Sequence, residues 1–164
     1  MDPSLGEFVL TSRDLRIPEN PKTIYSVNEG NYSRWDAPTK AFVEGMKNPA
    51  AGGKPYSARY VGSMVSDVHR TLLYGGVFMY PSDSQSPDGK LRLLYEANPM
   101  AMIMEQAGGR AITGGVDSQR ILDLQPTHIH QRVPIFLGCE RDIAEAERHF
   151  ADAAGQGAAK KAKK

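Results

Sequence analysis

The stretch SMVSDVHRTLLYGGVFMYP, Ser63–Pro81, decides the fold class. Met64, Val65, Val68, Leu72 and Leu73 recur at helical spacing and share one face. Ser63 stands where a capping hydroxyl is expected. Gly75 and Gly76 then stop the helix, because glycine adopts the left-handed backbone found at helix C-termini. Directly after them VFMYP is apolar without alternation, the pattern of a strand covered on both faces.

The flanks repeat this alternation of strand and helix. Upstream, GEFVLTS (Gly6–Ser12) and TIYSV (Thr23–Val27) read as strands, separated by a polar connection carrying Pro18 and Pro21. Asp36 offers an N-cap, with Pro38 in the first turn, for a helix ending near Lys47. RYV (Arg59–Val61) is a short strand-like run. Downstream, a polar loop with a Pro-Asp-Gly turn leads to KLRLLYE (Lys90–Glu96), which reads as a buried strand. Pro99 starts a helix that the pair Gly108-Gly109 ends. RAIT and VPIFLG are further strands, ILDL is a short extended piece, and RDIAEAERHFADAA is a closing amphipathic helix. The expected fold is therefore α/β: a layered α-β-α arrangement around a mixed, mostly parallel sheet of about five strands.

Composition bounds the function. The 164 residues carry a net charge of +1, yet four lysines lie in the last five positions and the remainder carries −3. That balance excludes a general nucleic-acid footprint. The single cysteine, Cys139, excludes an internal disulfide framework. No apolar run reaches the roughly 18 residues of a membrane span, and the N-terminal residues lack the pattern of a signal peptide. GQGAAKKAKK, the end of the chain, is expected to be disordered.

In sheets of this class ligands gather where strands end and helices begin. Asn28, Tyr32, Arg59, Tyr60, Tyr80 and Lys90 each fall at or beside a predicted strand end. One amide, three phenols and two cations are the donors a sugar phosphate requires. Each also has a plainer explanation as a turn amide, a core aromatic or a surface charge. Glu96, at a strand-to-helix junction, is either a helix-start acid favoured by the dipole or a ligand for a hard cation such as Mg²⁺. On an extended Lys90–Glu96 segment the two side chains would be rooted up to roughly 20 Å apart. Cys139, His69, His128 and His130 carry no catalytic or metal signal.

Four runs carry a resemblance: YSVNEGNY, PYSARYVGSMVSDVHRTLLYGGVFMYP, SPDGKLRLLYEANPMAMIMEQAGG and HQRVPIFLG. In this order and spacing they resemble the C-terminal half of the fructose-1,6-bisphosphatase family, from about Asp2 to Phe150. The related sedoheptulose bisphosphatases share KLRLL and the glycine pair, whereas Asn28-Glu29-Gly30 and Arg59–Met64 favour the fructose enzymes. The resemblance implies a domain over 15–153, preceded at 1–14 by an orphan strand that belongs to the sheet of an N-terminal domain, and followed at 154–164 by a disordered Lys-rich tail. It implies substrate contacts from Asn28, Tyr32, Tyr60, Tyr80 and Lys90 to the 6-phosphate, and from Gly62, Ser63 and Met64 to the sugar. Tyr32 is offset, because Asn31 intervenes after Gly30. Arg59 is implied to cross a dimer interface into a neighbouring subunit's pocket.

Glu96 is implied to be catalytic and a metal ligand, with Arg92 in support. The implied cofactor is Mg²⁺, with Mn²⁺ or Zn²⁺ as substitutes, and the implied reaction is hydrolysis of fructose 1,6-bisphosphate to fructose 6-phosphate in gluconeogenesis. The family's Asp-Pro-x-Asp-Gly-Ser-Ser metal loop does not occur in this sequence, so the chain alone is expected to be catalytically silent. The implied partners are the substrate, an N-terminal domain and further copies in a homodimer or homotetramer. The implied location is the cytoplasm, with organellar targeting left open. Two alternatives are a non-catalytic sugar-phosphate-binding module and a half-domain that only pairs with another chain.

Overall fold

The computed structural model describes residues 1–50 and 52–161. Its centre is a five-stranded sheet built from β1 (Ile24–Ser26), β2 (Ser57–Ala58), β3 (Val77–Tyr80), β5 (Gly109–Ile112) and β7 (Ile135–Cys139), in the order β2-β1-β3-β7-β5. A second, two-stranded sheet pairs β4 (Leu91–Arg92) with β6 (Arg132–Val133). The helices are α1 (Ala37–Lys47), α2 (Met64–Tyr74), α3 (Asn98–Gln106) and α4 (Glu140–Lys161).

The central strands alternate their side chains between two cores, and this sorts the helices into layers. Val77 and Met79 of β3 and Phe136 of β7 join Phe42, Val43 and Met46 of α1 and Ile143 and Phe150 of α4. Phe78, Ile135 and Leu137 point the other way, onto Val68 of α2 and Ala101 and Met104 of α3. The continuous apolar character of VFMY and IFL thus reflects burial on both faces. The expected layered architecture and mixed five-stranded sheet are present, but parallel and antiparallel pairings are equal in number. β1 runs parallel to β2 and β3, while β7 is antiparallel to both β3 and β5.

Local chemistry sets the boundaries near the functional end. The Asp36 carboxylate accepts from Thr39 N–H at 2.9 Å and starts α1, with Pro38 in the first turn. Helix α2 stops at Gly75, and Gly75 and Gly76 both have positive φ. Gly76 lies so close to the Ile24 carbonyl that a side chain there would collide with backbone. The glycine pair therefore both ends the helix and seats β3 against β1.

Several expectations change. No strand forms at Gly6–Ser12: among the described residues the bridge there joins Asp2 to Glu7, and Phe8 and Leu10 are exposed. A strand requires a hydrogen-bonded partner, and among the described residues none pairs with 8–12. The strand expected at Arg59–Val61 lies earlier, at Ser57–Ala58. ILDL forms a 3₁₀ turn, Ile121–Asp123, rather than an extended piece. VPIFLG divides at Pro134 between β6 and β7. The expected tail from 154 is helical as far as Lys161, because its alanines and lysines favour extension of α4 despite two glycines. The last three residues of that expected tail lie outside the described residues.

The largest change is at KLRLLYE. Only Leu91–Arg92 is strand, and Leu93–Ala97 winds into a π-helical turn that runs directly into α3. Leu93 N–H donates to Gln131 O at 2.8 Å, the last rung in register with the β4–β6 pairing, and beyond it the chain coils. The chain between Lys90 and Glu96 is consequently contracted, not extended.

Candidate functional site

The C-terminal ends of β1 and β3 and the connection from β2 to α2 surround a polar cleft of about 350 Å³. Asn28 enters from the end of β1, Tyr60, Gly62 and Met64 from the β2–α2 connection, and Tyr80 from the end of β3. Lys90 and Arg92 come from β4 and its approach, and Glu96 from the π-helical turn. Each of these residues was expected at the site from the sequence, and the fold gathers all of them on one concavity.

Each is held by a specific local device. The Asn28 side-chain oxygen accepts from Gly30 N–H at 3.1 Å and caps the 3₁₀ turn Glu29–Arg34, as its turn-like sequence context suggests. The Lys90 ammonium lies 5.9 Å from the centroid of the Tyr80 ring. Burial holds the Tyr60 phenol above its ordinary pKa, with further contributions from Tyr80 and Asp67. It therefore remains a neutral donor at physiological pH. Arg92 donates from Nη1 to Lys90 O at 3.2 Å, while its buried Nε has no partner.

Glu96 folds back over its own turn. Its Oε2 accepts from Arg92 N–H at 2.7 Å, closing the start of the π-helical turn much as a capping-box acid does. The helix-start role is thus realised, while Glu96 also lines the cleft. Among the described residues no three His, Cys, Asp or Glu side chains converge in a metal-binding group. The half-exposed Glu96 is a hard oxygen donor of the type Mg²⁺ accepts, and it can supply one ligand to an ion completed elsewhere.

Three expected residues lie off the cleft. The ring of Tyr32 meets Trp35 edge-on at 5.6 Å between centroids and packs against the core on the α1 side. In a 3₁₀ turn each residue rotates about 120°, so Asn31, one position earlier, is the residue that approaches Asn28 and Tyr80. Ser63 is the N-cap of α2 but its hydroxyl makes no cap bond, and its neighbours Gly62 and Met64 line the cleft instead. Arg59 N–H donates to Tyr25 O at 2.9 Å, extending the β1–β2 ladder by one residue. Successive side chains of such a segment point to opposite sides, so Arg59 lines a separate groove while Tyr60 faces the cleft.

Asp67 was missed in the sequence and proves central. It is fully buried in the first turn of α2. Its carboxylate accepts from Val61 N–H at 3.1 Å and Gly62 N–H at 3.1 Å, and pairs with Arg70 Nη2 at 2.5 Å. It thereby fixes the loop that presents Tyr60 and Gly62. An acid four residues after a capping serine was the available signal. Cys139 is buried, and burial followed by the Asp142 charge pushes its thiol up to about 11, which keeps it protonated and unreactive.

The fold and cleft define a layered α/β domain with a polar concavity at its strand ends. Residues 17–151 match the family model described as fructose-1-6-bisphosphatase, C-terminal domain. The chain is 59% identical to the cytosolic fructose-1,6-bisphosphatase of Solanum tuberosum over 151 residues, which is 92% of this chain and 43% of that protein. Identity is 60% with the protein of the same name from Musa acuminata, with the same coverage, and 58% with that from Spinacia oleracea. The chain belongs to the fructose-1,6-bisphosphatase C-terminal domain family. It spans under half the length of these curated relatives, and the part it corresponds to is their C-terminal part. No helix among the described residues is long and apolar enough to cross a membrane.

Proposed function

We propose that the cleft holds the retained 6-phosphate of a fructose phosphate, within a protein that hydrolyses the 1-phosphate of fructose 1,6-bisphosphate. The observation that carries this reading is the convergence of Asn28, Tyr60, Tyr80 and Lys90 from separate segments onto one concavity. The Lys90 ammonium supplies charge, while the two phenols and the amide supply neutral directional donors. Gly62 and Met64, with Ser63 beside them, lie against the sugar. Tyr32 is not part of this contact set. The contraction of Lys90–Glu96 into a π-helical turn brings the phosphate-holding end and the acidic end of the cleft together.

Glu96 would hold one divalent ion, Mg²⁺ by preference and Mn²⁺ or Zn²⁺ in its place. When bound, such ions polarise phosphoryl oxygens and lower the pKa of water. The remaining ligands would come from an N-terminal domain like that of the longer relatives. Arg59, turned away from the cleft of its own chain, is suited to reach a neighbour's cleft in a homodimer or homotetramer. The exposed Leu5, Phe8 and Leu10 suit pairing with the N-terminal domain. The named relatives are cytosolic proteins, and that likeness supports a cytoplasmic location for this chain.

Two measurements test the proposal. The isolated chain with Mg²⁺ should release no phosphate from fructose 1,6-bisphosphate. Turnover approaching that of a full-length relative would contradict the need for further ligands. In calorimetric titration with fructose 6-phosphate, Lys90→Ala should weaken binding about tenfold or more, because a hydrogen bond to a charged group contributes roughly 1.5–3 kcal/mol. Equal affinity in the two proteins would remove the phosphate from this cleft.

A further inference from the structure

On the far side of the β2 edge from the cleft lies a groove of about 590 Å³. Lys22, Lys54, Arg59 and Arg70 line it, together with the hydroxyl-bearing Thr23 and Ser57. No carboxylate is among its described lining residues. This concentration of cations stands out because the chain without its C-terminal lysines is net negative. We propose that the groove is a second ligand site, one that takes small multivalent anions carrying at least two phosphate or carboxylate groups. It is separate from the cleft of the same chain, and Lys22, Lys54 and Arg70 carry it without Arg59, which the reading above gives to a neighbour's cleft.

Charge accounting supports this. Asp67 is the acid nearest the groove through its pairing with Arg70, but it is fully buried and also engaged by Val61 N–H and Gly62 N–H. It offsets Arg70 and leaves Lys22, Lys54 and Arg59 without a carboxylate facing them from within the groove. Arg70 is anchored through Nη2 to the Ser26 hydroxyl, the Arg59 carbonyl and Asp67. Its Nε is shielded from solvent and makes no hydrogen bond among the described residues, so Arg70 serves as a fixed cationic wall of the groove. Lys22 is steadied by the Tyr74 ring, 4.2 Å from its Nζ, and both Lys22 and Lys54 are exposed. A monoanion engages only part of this set. Two linked anionic groups reach the lysines and the arginine wall together, with guanidinium forks on one side and ammonium point charges on the other.

The test is calorimetric titration with pyrophosphate at low salt in the Lys90→Ala background, which removes the principal cation of the cleft. Binding should persist there. It should fall at least tenfold on adding Lys22→Ala and Lys54→Ala, and fall further with Lys54→Glu. These side chains are exposed, so the substitutions leave the fold intact, as a circular dichroism melt will verify. Citrate should displace pyrophosphate, and raising NaCl should weaken both through screening. Pyrophosphate binding that vanishes with Lys90→Ala alone, or that is indifferent to the lysine substitutions, overturns the proposal. Failure of citrate to compete overturns the class of ligand.

Discussion

Two polar concavities flank the same edge of the sheet, and they are built on opposite principles. The cleft places one lysine among neutral donors, Asn28, Tyr60 and Tyr80, with an acid, Glu96, at its far end. The groove places four cations together and has no carboxylate among its described lining residues. Neutral directional donors read the shape of a ligand, whereas a cluster of exposed cations reads mainly its charge. The cleft is thus suited to discriminate among phosphorylated sugars, and the groove to accept any compact polyanion. Arg59 and Tyr60, adjacent in sequence, are assigned to different sites by the alternation of an extended chain.

One buried group joins the two. Asp67 holds the Tyr60–Gly62 loop on the cleft side and Arg70 on the groove side. Asp67→Asn should therefore have the largest effect of any single substitution considered for this protein. Breaking a buried ion pair costs about 3 kcal/mol or more, which should lower the urea midpoint clearly. Both fructose 6-phosphate and pyrophosphate titrations should weaken together. Loss at only one site would show that the two concavities do not share this support. At the other extreme, Tyr32→Phe should leave fructose 6-phosphate affinity unchanged within twofold, because the phenol packs beside Trp35 away from the cleft. A tenfold loss by the same calorimetry would return Tyr32 to the contact set.

The cleft was largely legible in the sequence because its residues sit at strand ends, which local signals mark well. The Gly75-Gly76 stop and the unbroken VFMY run place α2 and β3 correctly. The Asp36 cap does the same for α1. What escaped was decided by distant partners. KLRLLYE has the composition of a strand, but its pairing with β6 ends at the Leu93–Gln131 rung and Glu96 closes on Arg92 N–H, so the rest of the segment coils. GEFVLTS has a strand's composition too, yet no neighbouring strand among the described residues completes a ladder with it. Tyr32 was misplaced because a single residue of offset in a 3₁₀ turn changes the face. Asp67 was overlooked because an acid in a first helical turn looks like ordinary dipole compensation until its burial and its bonds to a preceding loop are seen.

The most direct test of the division between cleft and groove is a fructose 6-phosphate titration followed by amide NMR. Resonances of Asn28, Gly62, Lys90 and Glu96 should shift in a saturable manner, with those of Lys22, Lys54 and Ser57 unmoved at the same ligand concentrations. Saturable shifts confined to Lys22, Lys54 and Ser57 would place the sugar phosphate in the groove and contradict the account of the cleft.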